Sequence, residues 1–208
     1  MIKLLVADDH PIVRRGIRQA LSETDDIVVA DEAGNCAEIL EKLRQNQFDV
    51  VLLDLSMPGR GGIEVLKQIR GMQLRVAVLV LSIFPEDQYA IRALRAGASG
   101  YVMKSCEADV LVRAIRKVAA GGRFVSEAMV EKLLGGLGKD VEKAPHELLS
   151  DREYEVFRRI ARGESVRDIA ESMALSIKTV STYRGRILKK MGLKSNAELI
   201  HYAVENEL

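Results

Sequence analysis

The chain contains no tryptophan, few aromatic residues of any kind (4%) and only two cysteines. Cys36 and Cys106 stand far apart and lack metal-ligand companions, so reduced thiols in a cytoplasm suit them better than a disulfide framework or a metal site. Long hydrophobic runs are missing as well. Nothing approaches the ~20 apolar residues of a membrane span. The N-terminal apolar segment is broken by Lys3 and ends in Asp8-Asp9, unlike a signal peptide. A cytoplasmic protein without a membrane partner is expected. Excess charge is also lacking: the net charge is +1, although its distribution is uneven. Residues 176–195 hold six basic residues and no acidic one.

What is present is ordinary globular composition, 48% hydrophobic and 29% charged in 208 residues, enough for one or two domains with their own cores. Apolar runs alternate with helical patterns from the start. Strands are expected at 2–7, 26–33, 48–54, 75–82 and 100–104. Helices are expected at 11–22, 37–45, 63–70, 86–95 and 108–119, with Ile12, Ile17 and Leu21 on the inner face of the first. Five such βα units predict an α/β fold, a doubly wound five-stranded parallel sheet in the flavodoxin-like order 2-1-3-4-5. The strand signal stops after residue 104. SEAMVEKLLGGLG (126–138) reads as one further short helix, GGLGKDVEKAPHE (135–147) as a linker, and everything after Ser150 as helical. The expected division is 1–120, a short helix and linker over 121–145, and a small all-α domain over 146–208.

Residues 50–59, VVLLDLSMPG, run four aliphatic residues into Asp54. Ligand chemistry in open parallel sheets collects at the carboxyl ends of strands, and an unpaired buried carboxylate is costly. Asp54 is therefore a candidate reactive group, although an Asp that merely starts a turn fits this one strand equally well. The other strand ends carry Asp8-Asp9, Ser82 and Lys104, which the strand order makes neighbours. Three carboxylates together call for a cation, and hard oxygen ligands suggest Mg²⁺. With Lys104 as a second positive charge and Ser82 as a hydroxyl donor, the set suits an in-line phosphoryl transfer. Asp54 would be the nucleophile of an acyl phosphate.

Asp8, Asp9, the D-x-x-M-P pattern from Asp54 to Pro58, Ser82, Tyr101 and Lys104 together resemble a response-regulator receiver domain over residues 1 to about 120. The resemblance implies that Asp54 accepts phosphate from a histidine kinase. It also implies that Asp9, the Asp54 carboxylate and the Ser56 carbonyl ligate Mg²⁺, with Asp8 acting mainly through water. Ser82 and Tyr101 would be the switch residues. Two departures stand out: Lys104-Ser105 where many receivers have Lys-Pro, and Ile83 where many place a small residue. An aspartyl phosphatase of the haloacid dehalogenase type is the competing enzyme. It would need D-x-D after the first strand, whereas here Asp54-Leu55-Ser56 follows the third. No enzymatic role is expected beyond the receiver's own phosphoryl transfer and dephosphorylation.

In the C-terminal part, Ser150-x-x-Glu153 and Ser195-x-x-Glu198 fit capping boxes, and Ser165-x-x-Asp168 is a weaker one. They delimit helices near 151–162, 166–173, 177–191 and 196–206. Ala174-Leu175-Ser176 between the second and third has the length of a helix-turn-helix. Ile169, Ala170, Met173, Leu175, Val180 and Tyr183 are expected inside, as are Ile177, Ile187 and Met191. Lys178, Ser181, Thr182, Gly185, Arg186 and Lys189 lie opposite. Such a face suits the major groove of double-stranded DNA, although a charge run is more often a solvated surface. Thr179 in the first turn and the long cations Lys190 and Lys194 complete the candidate DNA contacts.

Residues 149 to about 204 resemble the LuxR-type DNA-binding domain, and the two halves together a NarL/FixJ-type response regulator. That resemblance implies a phosphorylation-switched transcription factor with a cognate histidine kinase, DNA, RNA polymerase and, when phosphorylated, a second copy as partners. Two alternatives are a phosphorylation-independent DNA-binding factor using the receiver only to dimerise, and a small-molecule sensor of the quorum-sensing kind. The full acidic set argues against the first, and the βα alternation against the second.

Overall fold

Five strands, β1 (Ile2–Ala7), β2 (Ile27–Ala33), β3 (Val50–Asp54), β4 (Ala77–Ser82) and β5 (Gly100–Met103), form one parallel sheet in the order β2-β1-β3-β4-β5. The computed structural model describes residues 1–57, 62–83, 86–126, 129–131, 144–206 and 208. Helices α1 (Pro11–Leu21), α2 (Cys36–Gln45), α3 (Gly62–Gly71), α4 (Glu86–Ala96) and α5 (Ala108–Ala119) alternate with the strands. The chain divides into two compact units, Met1–Gly138 and Lys139–Leu208.

Every residue of β3 is buried, as a central strand covered on both faces requires. Side chains alternate across the sheet. Val50 and Leu52 therefore join Leu4, Val6, Leu79 and Leu81 beneath Ile17, Leu111 and Ile115 of α1 and α5. Val51 and Leu53 point the other way, and Ile39, Leu66 and Ile69 of α2 and α3 are likewise buried. Each such side chain contributes about 1.5–3 kcal/mol. This two-sided core is what holds the strand ends, and the side chains on them, in one place.

The first helix departs from the expected face. Ile12 is 79% exposed, and Val13 packs on the core in its stead. Val13, Ile17 and Leu21 are spaced by four, whereas Ile12 lies one residue, or 100°, round the helix from that stripe. Of the helix expected over 126–138 and the linker over 135–147, residues 127–128 and 132–143 lie outside the described residues. Residues 129–131 are helical. Pro145–Leu148 forms a 3-10 helix where linker was expected.

The second unit holds α6 (Asp151–Ala161), α7 (Val166–Ser172), α8 (Ile177–Met191) and α9 (Asn196–Glu205) around buried Phe157, Ile160, Ile169, Val180, Ile187 and Leu199. Ser150/Glu153 and Ser165/Asp168 are complete capping boxes. At α9 the Ser195 side chain caps, but Glu198 Oε2 takes the Lys194 N–H at 2.8 Å rather than that of Ser195. Between α7 and α8, Ala174 adopts φ 52°, and the next N–H, from Leu175, donates to Ala170 O at 2.8 Å, closing the turn. Ile177, expected inside, is 55% exposed: it opens α8, where a side chain leans past the helix start and away from the packed turns. Leu175 and Tyr183 are only half-buried.

Candidate functional site

The carboxyl ends of β1, β3, β4 and β5 bring together the residues the sequence singled out. Asp54 ends β3 and Asp8 follows β1; both are 1% exposed, and Ser82 at the end of β4 is fully buried. Lys104 follows β5, and its backbone N–H donates to Ser82 O at 2.8 Å, tying the two strand ends. The Lys104 ammonium enters the cluster, 2.6 Å from Asp8 Oδ2 and 2.7 Å from Asp54 Oδ2. Its directed hydrogen bond goes to Asp54. Asp54 Oδ1 accepts the Ser56 N–H at 3.0 Å, so the turn after β3 grips the same carboxylate. Tyr101 in β5 is also buried. The Lys104–Ser105 peptide is trans. Pro58 of the D-x-x-M-P stretch and Gly59 after it lie outside the described residues, and Met57 is buried.

Burial is the dominant influence on Asp54 and raises its carboxyl above the usual range. Lys104 and the Ser56 N–H oppose it, and nearby Asp8 adds to it. Burial works to lower the Lys104 ammonium, yet the Asp54 and Asp8 carboxylates more than compensate and hold it protonated. The site is an acidic pocket with one built-in cation. Asp8 Oδ2 is met by the Lys104 ammonium at 2.6 Å and Asp9 Oδ1 by the His10 ring nitrogen at 2.9 Å. Asp8, Asp9, His10 and Asp54 each offer a ligand atom, all within 4.8 Å of one another. Three carboxylates gathered in one pocket are compatible with Mg²⁺.

Two neighbours were missed in the sequence. His10 places Nδ1 3.1 Å from Asp8 Oδ1 and 2.9 Å from Asp9 Oδ1; its position directly after the Asp pair was the available signal. Arg14 donates from Nη1 to Asp8 O at 2.6 Å and from Nε to Glu32 Oε2 at 2.7 Å. Nothing in the sequence links Arg14 to Glu32, which comes from the next strand.

The second candidate surface lies on α8. Lys178, Ser181, Thr182, Gly185, Arg186 and Lys189 are all exposed on it, and Thr179 is half-buried. Thr182 Oγ1 donates to Lys178 O at 2.9 Å, and Thr179 pairs with the capping Ser176 hydroxyl at 2.8 Å. Lys194, beyond the helix, is exposed. Lys190 differs from the rest: its ammonium lies 2.6 Å from buried Glu153, so it is not a free cation on this face. Arg184 is likewise turned to α9, donating to Asn196 Oδ1 at 2.6 Å.

A flavodoxin-like α/β unit with an Asp-Asp-Asp-Lys pocket, joined to a helical unit with a helix-turn-helix, defines a two-domain signalling regulator. The comparisons agree. Residues 4–116 match the response regulator receiver domain, and residues 147–203 match the bacterial regulatory proteins of the luxR family. The chain is 38% identical over 207 residues to the response regulator GacA of Pseudomonas syringae pv. syringae, covering 99% of this chain and 97% of that one. It is 34% identical to UvrY of Escherichia coli K12, covering 100% and 96%. The solved structure of RcsB from Salmonella enterica serovar Typhimurium, bound to promoter rprA with the phosphomimetic BeF3-, is similar at TM-score 0.68 and 28% identity. It covers 97% of this chain and 98% of that one. The chain belongs to the NarL/FixJ-type response regulators, two-component proteins with a receiver and a LuxR-type helix-turn-helix domain. No helix among the described residues is long and apolar enough to cross a membrane.

Proposed function

We propose that a histidine kinase phosphorylates Asp54, and that this switches DNA binding by α8 and hence transcription. An Asp54 oxygen attacks phosphorus in line; the P–O bond forms as the P–N bond to the kinase histidine breaks, leaving an acyl phosphate. Mg²⁺ held by Asp8, Asp9, Asp54 and the Ser56 carbonyl would neutralise charge on the phosphoryl oxygens. Lys104 supplies the second counter-charge and Ser82 a hydroxyl hydrogen bond. The observation that carries the reading is the Lys104 ammonium lying between Asp8 and Asp54, since a fixed cation there is what a bound phosphoryl group needs.

Movement of Ser82 and then Tyr101 toward the phosphoryl group would alter the α4–β5 face, and dimerisation and DNA affinity would follow. Lys178, Thr179, Arg186, Lys189 and Lys194 would contact phosphates, with Ser181, Thr182 and Gly185 nearest the bases. Double-stranded DNA, a cognate kinase, a second copy and RNA polymerase are the partners, in the cytoplasm. The chain's chemistry is confined to its own phosphorylation and dephosphorylation.

The test is incubation with Mg²⁺ and acetyl phosphate. One acid-stable, base-labile phosphate is expected per chain, abolished in Asp54→Asn. Lys104→Ala should keep the nucleophile but weaken the change in DNA affinity. Label persisting at wild-type level in Asp54→Asn would mean another residue is the acceptor.

A further inference from the structure

We propose that Arg14 is a positioning residue for the acid pair: by holding the Asp8 carbonyl it sets the peptide plane that directs Asp8 and Asp9 into the pocket. The inference rests on reading that pocket as the phosphorylation site and gives a part in it to a residue outside it. Asp8 follows the last residue of β1, and its N–H donates to Ala33 O of β2 at 3.0 Å. In a parallel ladder the N–H and carbonyl of one residue point to the same neighbour, so Asp8 O also faces β2. β2 ends at Ala33, and the chain turns through Gly34 to the Asn35 cap of α2. Arg14 takes the place of the next ladder donor, with Nη1 donating to Asp8 O at 2.6 Å. That oxygen belongs to the planar unit joining the Cα atoms of Asp8 and Asp9. Fixing it fixes the direction in which Asp9 leaves the strand.

The guanidinium is itself held in place. Arg14 Nε donates to Glu32 Oε2 at 2.7 Å, and Arg18 Nε lies 3.1 Å from Oε1 of the same carboxylate. One Glu thus ties α1 to β2. The Arg14 side chain is 18% exposed and that of Glu32 26%, which leaves little water to take over either bond. On the same turn, Asp8 Oδ1 accepts the His10 N–H at 2.8 Å. The segment leaving β1 is therefore pinned at its carbonyl by α1 and at its carboxylate by its own backbone. Groups that orient a metal-binding residue without touching the metal typically control about 10–100-fold of the affinity. Arg18 supplies the contrast: it is 57% exposed and, among the described residues, meets Glu32 but not Asp8.

The experiment uses the full chain as wild type, Arg14→Met, Arg14→Lys and Arg18→Met. Titration calorimetry with Mg²⁺ gives the affinity, and circular dichroism shows that each chain is folded. Arg14→Met should bind Mg²⁺ about 10–100-fold more weakly. Charge alone predicts the opposite sign, because removing a cation beside an acidic pocket favours a dication there. Arg14→Lys should show a smaller loss, since one ammonium does not reproduce the planar fork, and Arg18→Met should stay within about twofold of the wild type. In labelling with acetyl phosphate, the Mg²⁺ concentration giving half the maximal rate should rise by the same factors. Affinity unchanged or raised in Arg14→Met, or lost equally in Arg18→Met, would overturn the assignment of Arg14. Should Arg14→Met not fold, wild-type affinity in Arg14→Lys would overturn it instead. If the wild type bound no Mg²⁺ or took no phosphate on Asp54, the reading of the pocket itself would fall, and the inference with it.

Discussion

Lys190→Ala should destabilise the DNA-reading unit rather than merely lower its charge. The ammonium lies 2.6 Å from Glu153 Oε2, on a side chain only 4% exposed, and 3.4 Å from Leu148 O. Glu153 also accepts the Ser150 N–H at 2.8 Å. Burial pushes the Glu153 carboxyl up, but Lys190 and Ser150 together carry it below the usual value. Breaking a fully buried ion pair costs about 3–5 kcal/mol. Here the Lys190 side chain is 42% exposed, so water can replace it and the cost falls to about 1–2 kcal/mol.

Because the folded carboxyl lies below its unfolded value of 4.5, the stabilisation is present above that pH and lost as pH falls through the folded value. The gap between wild type and variant should therefore narrow on acidification. Hydrogen exchange in the full chain is the assay. Near neutral pH the slowest amides of α6 and α8 should exchange about 5–30-fold faster in Lys190→Ala. In a Glu153→Gln background, where the amide still caps α6, the same substitution should cost little. Unchanged protection, together with a DNA-binding salt slope lowered by about 0.9, would put Lys190 on a phosphate and refute the reasoning.

Gly185 lies on the exposed face of α8, and a Cβ there meets nothing within 4 Å. Gly185→Leu should stabilise the unit by up to about 1 kcal/mol in denaturant unfolding. It should also lower affinity for a selected DNA site while low-salt non-specific binding largely survives; undiminished specific binding would end the argument for close backbone approach. Ile83, directly after Ser82, is 58% exposed, so it can stand over the access to the phosphoryl group. Ile83→Ala should speed dephosphorylation, and an unchanged rate would remove that role. Neutralising Lys178, Arg186, Lys189 or Lys194 singly should lower the logarithmic salt slope by about 0.9 each, with no loss of fold.

Periodicity and strand-end chemistry by themselves determined the order of the five strands, the gathering of Asp8, Asp9, Asp54, Ser82 and Lys104, and the span of the helices around the turn at Ala174. These are local properties. A two-sided aliphatic run must be a central strand, and in a parallel sheet every strand's carboxyl end faces the same edge. Which atoms meet depends instead on side chains distant in sequence, and only the tertiary structure decided it. Lys104 reaches Asp8 from 96 residues away, by difference of their positions, because β5 and β1 flank the two strands between them. Arg14 finds Glu32 on the neighbouring strand. Ile12 and Ile177 read as inward by apolar spacing but sit where a helix begins, one step round from the packed stripe or ahead of it. Lys190 looked like one more cation in a run without acids, since the run's own neighbours carry none. Its partner Glu153 arrives from another helix, and a buried carboxylate draws the nearest flexible ammonium out of the exposed face.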